Sequence, residues 1–122
     1  MSSSENTPDP LQPLRRVLRR FAEARDWDQF HSPKNLAVAV SVEAAELLEH
    51  FQWLTDSQSA DLPPEVRVKV GEEMADVLLY LVRLADKLDL DLVTCTQRKF
   101  RINAEKYPVD KARGNAKKYT DL

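Results

Sequence analysis

An all-α fold is what this 122-residue chain predicts, on three observations. Glycine occurs only twice, at Gly71 and Gly114, too rarely for a turn-rich sandwich or barrel. Apolar residues recur every three or four positions over four long segments, and no convincing period-two segment marks a strand. Prolines at 33, 64 and 108 sit where such segments would begin or stop. The length suits one domain, and 43% hydrophobic with 31% charged residues is a globular, ordered composition.

Each element has its own local reason. Residues 1–10, rich in Ser, Asp and Pro, are expected to form a flexible tail. A first helix is predicted from about Leu11 to Asp26, with Leu14, Val17, Leu18, Phe21 and Ala22 on one face and Arg15, Arg16, Arg19 and Arg20 largely off it. Trp27 to His31 breaks the pattern. Ser32 is a natural N-cap with Pro33 in the first helical position, and this second helix is predicted to reach about Leu54. Thr55–Pro63 reads as a polar loop. Pro64 opens a third helix reaching about Leu88. Asp89 or Asp91 caps a fourth, from about Leu92 to Tyr107, which Pro108 stops. The helical domain is therefore expected over 11–108, followed by a basic tail, 109–122, with no apolar period. Cys95 is expected to be a buried small apolar residue.

Several functions are excluded at this level. Two glycines cannot write a dinucleotide or P-loop fingerprint. A lone cysteine makes no intrachain disulfide and no Cys-based zinc site. The longest apolar run, Val77–Val82, falls far short of the roughly 18 residues a membrane span needs. The start, Met-Ser-Ser-Ser-Glu-Asn, lacks the basic and apolar regions of a secretory signal, so a cytoplasmic location without membrane contact is expected. Charge is unevenly spread: +1 over residues 1–40, −7 over 41–90 and +4 over 91–122. An acidic middle and a basic end suit a site that holds cations and a polyanion together, although a merely solvated helical surface would carry the same charges. Net charge is −2 and no recognition-helix motif occurs, so no nucleic-acid polymer is expected as partner.

Two acidic pairs interrupt the apolar stripes. On a helical wheel, Leu36, Val40, Leu47, Phe51 and Leu54 lie within about 60° of one another, Glu43 falls inside that stripe, and Glu46 flanks it. In the third helix Val66, Val70, Val77, Leu81, Leu84 and Leu88 form the stripe; Glu73 falls inside and Asp76 flanks it. Side chains three apart share a helix face, so antiparallel packing through these stripes would bring four carboxylates together. Unpaired anions cannot be buried cheaply, and like charges repel. Hard divalent ions prefer all-oxygen sites of this kind, which points to Mg²⁺ or Mn²⁺. A di-iron site would need Glu-x-x-His, which His50 does not provide, standing four after Glu46. The competing account is salt bridging by Lys69, Arg83 and Lys87. Glu49 and Glu72 sit further round the wheel and are expected to face solvent or the rim.

Trp27, Phe30 and His31 cluster before the second helix, Trp53 ends it, and Tyr80 lies one turn beyond Asp76. Such rings stack on nucleobases for about 1–3 kcal/mol each, and equally often pack in cores. Lys99, Arg101, Lys106, Lys111, Arg113, Lys117 and Lys118 suit phosphate oxygens or plain solvation.

At this point the residues resemble a family. Arg25-Asp-Trp-Asp-Gln-Phe-His-Ser-Pro-Lys-Asn-Leu36, Glu43-Ala-Ala-Glu46-Leu-Leu-Glu49 with Phe51-Gln-Trp53, Glu72-Glu-Met-Ala-Asp76-Val-Leu-Leu-Tyr80-Leu, and Lys99 to Pro108 are similar to the MazG-like nucleotide pyrophosphohydrolases. Ala112-Arg-Gly-Asn-Ala-Lys-Lys-Tyr-Thr120 is similar to the dCTP pyrophosphatase branch in particular. The resemblance implies an all-α four-helix bundle assembled as a homodimer or homotetramer, with sites at subunit contacts. It implies Mg²⁺-dependent hydrolysis of a nucleoside triphosphate, dCTP or a modified dCTP, to monophosphate and pyrophosphate. Glu43, Glu46, Glu73 and Asp76 would be the metal ligands and the catalytic carboxylates. Trp27 and Trp53 would flank the base, and His31 and Tyr80 would line its pocket. Lys34, Asn35, Lys99, Asn103, Arg113, Lys117 and Lys118 would contact phosphates or sugar; Lys34 departs from the Arg common in relatives. An all-α dUTPase-like enzyme and a catalytically silent helical interaction module are the alternative readings.

Overall fold

Side-chain caps and prolines set where the helices start. The computed structural model describes residues 9–122. Its elements are α1 (Gln12–Ala24), a 3-10 turn (Asp28–Phe30), α2 (Pro33–Glu49), α3 (Asp56–Ser59), α4 (Pro64–Lys87), α5 (Leu92–Lys106), α6 (Val109–Ala112) and a closing 3-10 turn (Tyr119–Asp121). No strand occurs among the described residues, so the all-α class stands. Ser32 Oγ accepts the Asn35 N–H at 3.1 Å, with Pro33 opening α2. Asp91 likewise accepts the Thr94 N–H at 3.1 Å and is the residue that caps α5. Of the expected N-terminal tail, residues 1–8 lie outside the described residues. Among the described residues no helix is long and apolar enough to cross a membrane.

Three local expectations need correction. α2 ends at Glu49 rather than near Leu54, because the Phe51, Gln52 and Leu54 amides close successive tight turns on Leu48 and Phe51 carbonyls. The segment 55–63 is not all loop: Thr55 and Gln58 form a reciprocal capping box that starts α3. The segment 109–122 is not featureless either. It holds α6 and the closing turn, and Tyr119 packs edge-on against Tyr107 at 6.2 Å beneath the Lys106 ammonium.

The chain divides into two units, one up to Leu90 and one over Asp91–Leu122. In the first unit α2 packs along α4, and α1 packs on α4 as well. The α2–α4 pair is antiparallel: His31, just before α2, bonds Arg83 late in α4, while His50, just after α2, lies 3.9 Å from Glu73 in its middle. Ala22, Leu36, Val70, Val82 and Ala85 are the buried apolar residues at these seams.

α1 ends in a left-handed residue. Asp26 has φ +55°, the Trp27 amide returns to the Ala22 carbonyl at 2.8 Å, and the chain doubles back so that the Trp27 ring meets Phe21 edge-on at 5.6 Å. Asp89 closes α4 in the same way, with φ +53°.

A buried polar knot holds this corner. Arg83, only 4% exposed, donates to His31, Asp86 and Asp28. Asp86 also receives Arg19 from α1 and lies 3.5 Å from Arg15. Hydrogen bonding from Arg19 outweighs burial and holds the Asp86 carboxyl below the usual carboxylate range. Its contribution to stability is thus present above the ordinary aspartate value and lost as pH falls through the lowered one. Replacing one member of a buried ion pair leaves its partners unpaired, at about 3–5 kcal/mol. Asp86→Asn should lower the stability measured by urea unfolding near neutral pH by an amount of that order. A change under about 0.5 kcal/mol, the level of an ordinary surface substitution, would contradict the network.

Candidate active site

The antiparallel register of α2 on α4 sets the two acidic pairs against each other. One carboxylate oxygen each from Glu43, Glu73 and Asp76 lies within 4.8 Å of the others. Glu46 adjoins this group and raises both Glu43 and Glu73. Three of the four side chains thus converge at mid-seam with Glu46 beside them, none of them fully exposed.

The bridging account does not hold for Asp76. Among the described residues no ion pair joins it to Arg83 or Lys87; those cations serve Asp28 and, for Arg83, Asp86. Among the described residues the cluster's one basic neighbour within 4.0 Å is His50, 3.9 Å from Glu73. Burial, then Glu46, then Asp76 and Glu73 push the Glu43 carboxyl up to about 7. Glu73 is raised by burial and Glu46 despite the opposing His50. Glu43 Oε2 and Glu73 Oε2 are buried without a hydrogen-bond partner. Two orphaned acceptors inside an all-oxygen cluster fit a hard divalent cation, which would satisfy both and offset the repulsion.

Beside the cluster opens a cleft of about 350 Å³. Its lining includes Glu43 and Asp76, the rings of Trp27, His31 and Tyr80, and the apolar Leu18 and Phe21. Trp27 and His31 meet edge-on at 6.3 Å. Three of the sequence-predicted base contacts thus share a cavity with two of the predicted ligands. Arg83, which the sequence reading cast only as a salt-bridge partner for Asp76, also lines it. The signal was available: Arg83 follows the apolar run Val77–Val82.

Other expected contacts lie elsewhere. Trp53, 86% exposed, stands in the turn after α2 and does not line the cleft. Lys34 is exposed. Asn35 braces the 3-10 turn, its Nδ2 donating to the Phe30 carbonyl at 3.0 Å. In the second unit, Lys99 and Asn103 are one turn apart on α5 and border a depression of about 370 Å³ with Cys95, Thr96 and Phe100. Cys95 is exposed, against the expectation of burial: it falls on this open face of α5. Arg113, Lys117 and Lys118 are exposed along the final segment.

Comparison with known proteins fits this arrangement. The profile of the MazG-like family matches residues 38–122. The chain is 44% identical over 119 residues to dCTP pyrophosphatase 1 of Mus musculus and 43% identical over 119 residues to that of Homo sapiens. Each match covers 95% of this chain and 70% of the relative. The crystal structure of a pyrophosphatase from Archaeoglobus fulgidus superposes with a TM-score of 0.74 at 40% identity, covering 84% of this chain and 95% of the other.

The raised Glu43 value has a definite sign for stability. Between the ordinary glutamate value of 4.5 and about 7 the folded chain holds a proton that the unfolded chain releases. Stability from this group is complete below that window and is lost as pH rises through it. In chelator, the melting temperature should fall across the window, and Glu43→Gln should flatten the fall. Millimolar Mg²⁺ at pH 8 should raise the melting temperature of the native protein. A pH profile indifferent to Glu43→Gln, or no Mg²⁺ effect, would contradict the cluster's electrostatics.

Proposed function

The chain belongs to the MazG-like family and is a nucleoside triphosphate pyrophosphatase; on that premise we propose that it is a Mg²⁺-dependent cytoplasmic enzyme acting on dCTP or a modified dCTP. The observation that carries this reading is the cleft itself, whose lining combines the Glu43 and Asp76 carboxylates of the acidic cluster with the rings of Trp27, His31 and Tyr80. Glu43, Glu46, Glu73 and Asp76 would hold the cation. When bound, that ion supplies positive charge beside the phosphate oxygens and polarises water. Trp27 and Tyr80 flank the base, and His31 meets its edge. A carboxylate of the cluster orients the attacking water and takes its proton as the new oxygen–phosphorus bond forms at the α-phosphorus. The bond to the bridging oxygen breaks, and pyrophosphate leaves. Serine, cysteine or histidine need not act as nucleophile.

Glu46→Gln and Asp76→Asn should each abolish release of the nucleoside monophosphate while leaving the helical circular dichroism spectrum intact. Turnover near the wild-type level in either variant would overturn the assignment. The informative assay incubates the protein with dCTP, 5-modified dCTP, dUTP and other triphosphates plus Mg²⁺ and identifies products by chromatography. Monophosphate with pyrophosphate supports the reading, and preference for dUTP would move it to a dUTPase-like enzyme. No loss of any nucleotide would leave an interaction module.

We propose further that the enzyme works as a homodimer or homotetramer. Val38 and Val42 on α2 and Val68 and Met74 on α4 are each at least half exposed, and Leu78 extends the α4 face. Gly71 lies on the same helix with nothing within 4 Å of where a Cβ would be, so its missing side chain answers to no contact within this chain. A second copy covering these residues would remove a large apolar surface from water. Sedimentation equilibrium should give at least twice the monomer mass of 14.0 kDa, and Val42→Asp should reduce it. A native protein that sediments as a monomer at micromolar concentration would contradict self-association.

A further inference from the structure

One side chain in the cleft has no part in the chemistry described above. Arg83 is almost wholly buried, and all three of its nitrogens are committed: Nε to His31 Nδ1 at 3.2 Å, one terminal nitrogen to Asp86 at 3.1 Å, the other to Asp28 at 2.7 Å. A guanidinium has donors only and stays protonated in proteins. The Nδ1 that faces it must therefore be an acceptor. A neutral imidazole accepting at Nδ1 carries its proton at Nε2, and Nε2 is the nitrogen left for a ligand in the cleft. The Asp86 and Asp28 contacts in turn fix the guanidinium plane, so the imidazole is held in both tautomer and orientation. Burial, then the charges of Arg83 and Lys87, keep His31 below the ordinary histidine range against the opposing pull of Asp28. The cleft is thus offered a neutral N–H donor at His31.

We propose that Arg83 is a positioning residue that locks His31 as the Nε2–H tautomer, so that His31 donates a hydrogen bond to a ring carbonyl oxygen on the base of the bound nucleotide. The base contact rests on the function proposed above; the lock does not. A neutral donor selects a base edge bearing an acceptor and discriminates against an edge that presents only N–H groups, because two facing donors leave each other unpaired.

The test has two independent readouts. Long-range ¹⁵N–¹H spectra of the native protein without nucleotide should show His31 with an unprotonated Nδ1 and a protonated Nε2. Arg83→Lys keeps a cation for the two aspartates but loses the planar Nε donor, and should give a mixture of tautomers. In kinetics with dCTP, Arg83→Lys and His31→Leu should each raise KM about tenfold, the size of one hydrogen bond, with kcat nearly unchanged. The double variant should be no worse than His31→Leu alone, because Arg83 acts through His31. His31→Gln, whose amide nitrogen falls near the position of Nε2, should recover most of the lost affinity. Protonation at Nδ1 in the native spectrum would overturn the lock. Additive KM effects in the double variant, or loss confined to kcat, would overturn the positioning role. Failure of the native protein to cleave any nucleotide would overturn the base contact together with the proposed function, while the nitrogen spectrum would still decide the lock.

Discussion

Four acidic groups crowded at the seam of two antiparallel helices are an electrostatic load that the fold carries rather than relieves. Neighbouring anions in a partly desolvated place raise one another's proton affinity, and Arg83 and Lys87 are engaged elsewhere. Everything else in the first unit is arranged around that imbalance. Apolar residues above and below the acids keep α2 and α4 in register. The register in turn keeps the acids opposed. A divalent ion is the charge that this geometry lacks, and its entry would strengthen the seam and prepare the cleft together.

The polar knot at the other end of the seam has the opposite character. Its acids all face cations: three arginines hold the Asp86 carboxyl below the usual carboxylate range, and Arg83 finds an acceptor for each nitrogen. It contributes orientation, fastening the segment that bears Trp27 and His31 to α4. A network of ion pairs at one end and a cluster of like charges at the other divide the labour between holding shape and awaiting a ligand.

Much of this was legible from residue order because period and caps are local properties. Ser32 with Pro33, Pro64 and Asp91 each start a helix by satisfying or removing backbone donors within a few residues. The two acidic pairs were legible because helical geometry alone places Glu43 and Glu73 on apolar faces. What escaped depends on choices that period cannot register. The apolar pattern of α2 runs on through Phe51 and Leu54, yet the extended backbone that Thr55 needs to cap α3 forbids a continuous helix there. The Thr55–Gln58 capping box was itself a visible signal. Arg83 was visible too, but its partners, Asp28 and His31, lie more than fifty residues away, a pairing that only the folded corner reveals. The structure of the last fourteen residues rests on a few aromatic and asparagine contacts, too sparse to write a period.

The left-handed turn at Asp26 has an evolutionary consequence. Trp27, Asp28 and His31 all follow it within five positions, and their angular placement is inherited from that one backbone reversal. Gaining or losing a single residue between Ala24 and Ser32 would swing ring, acid and imidazole off their targets at once. Length variation among descendants of this sequence should therefore be purged from this short stretch and accumulate in the 55–63 connection, whose own capping box lets it change size without disturbing either neighbour.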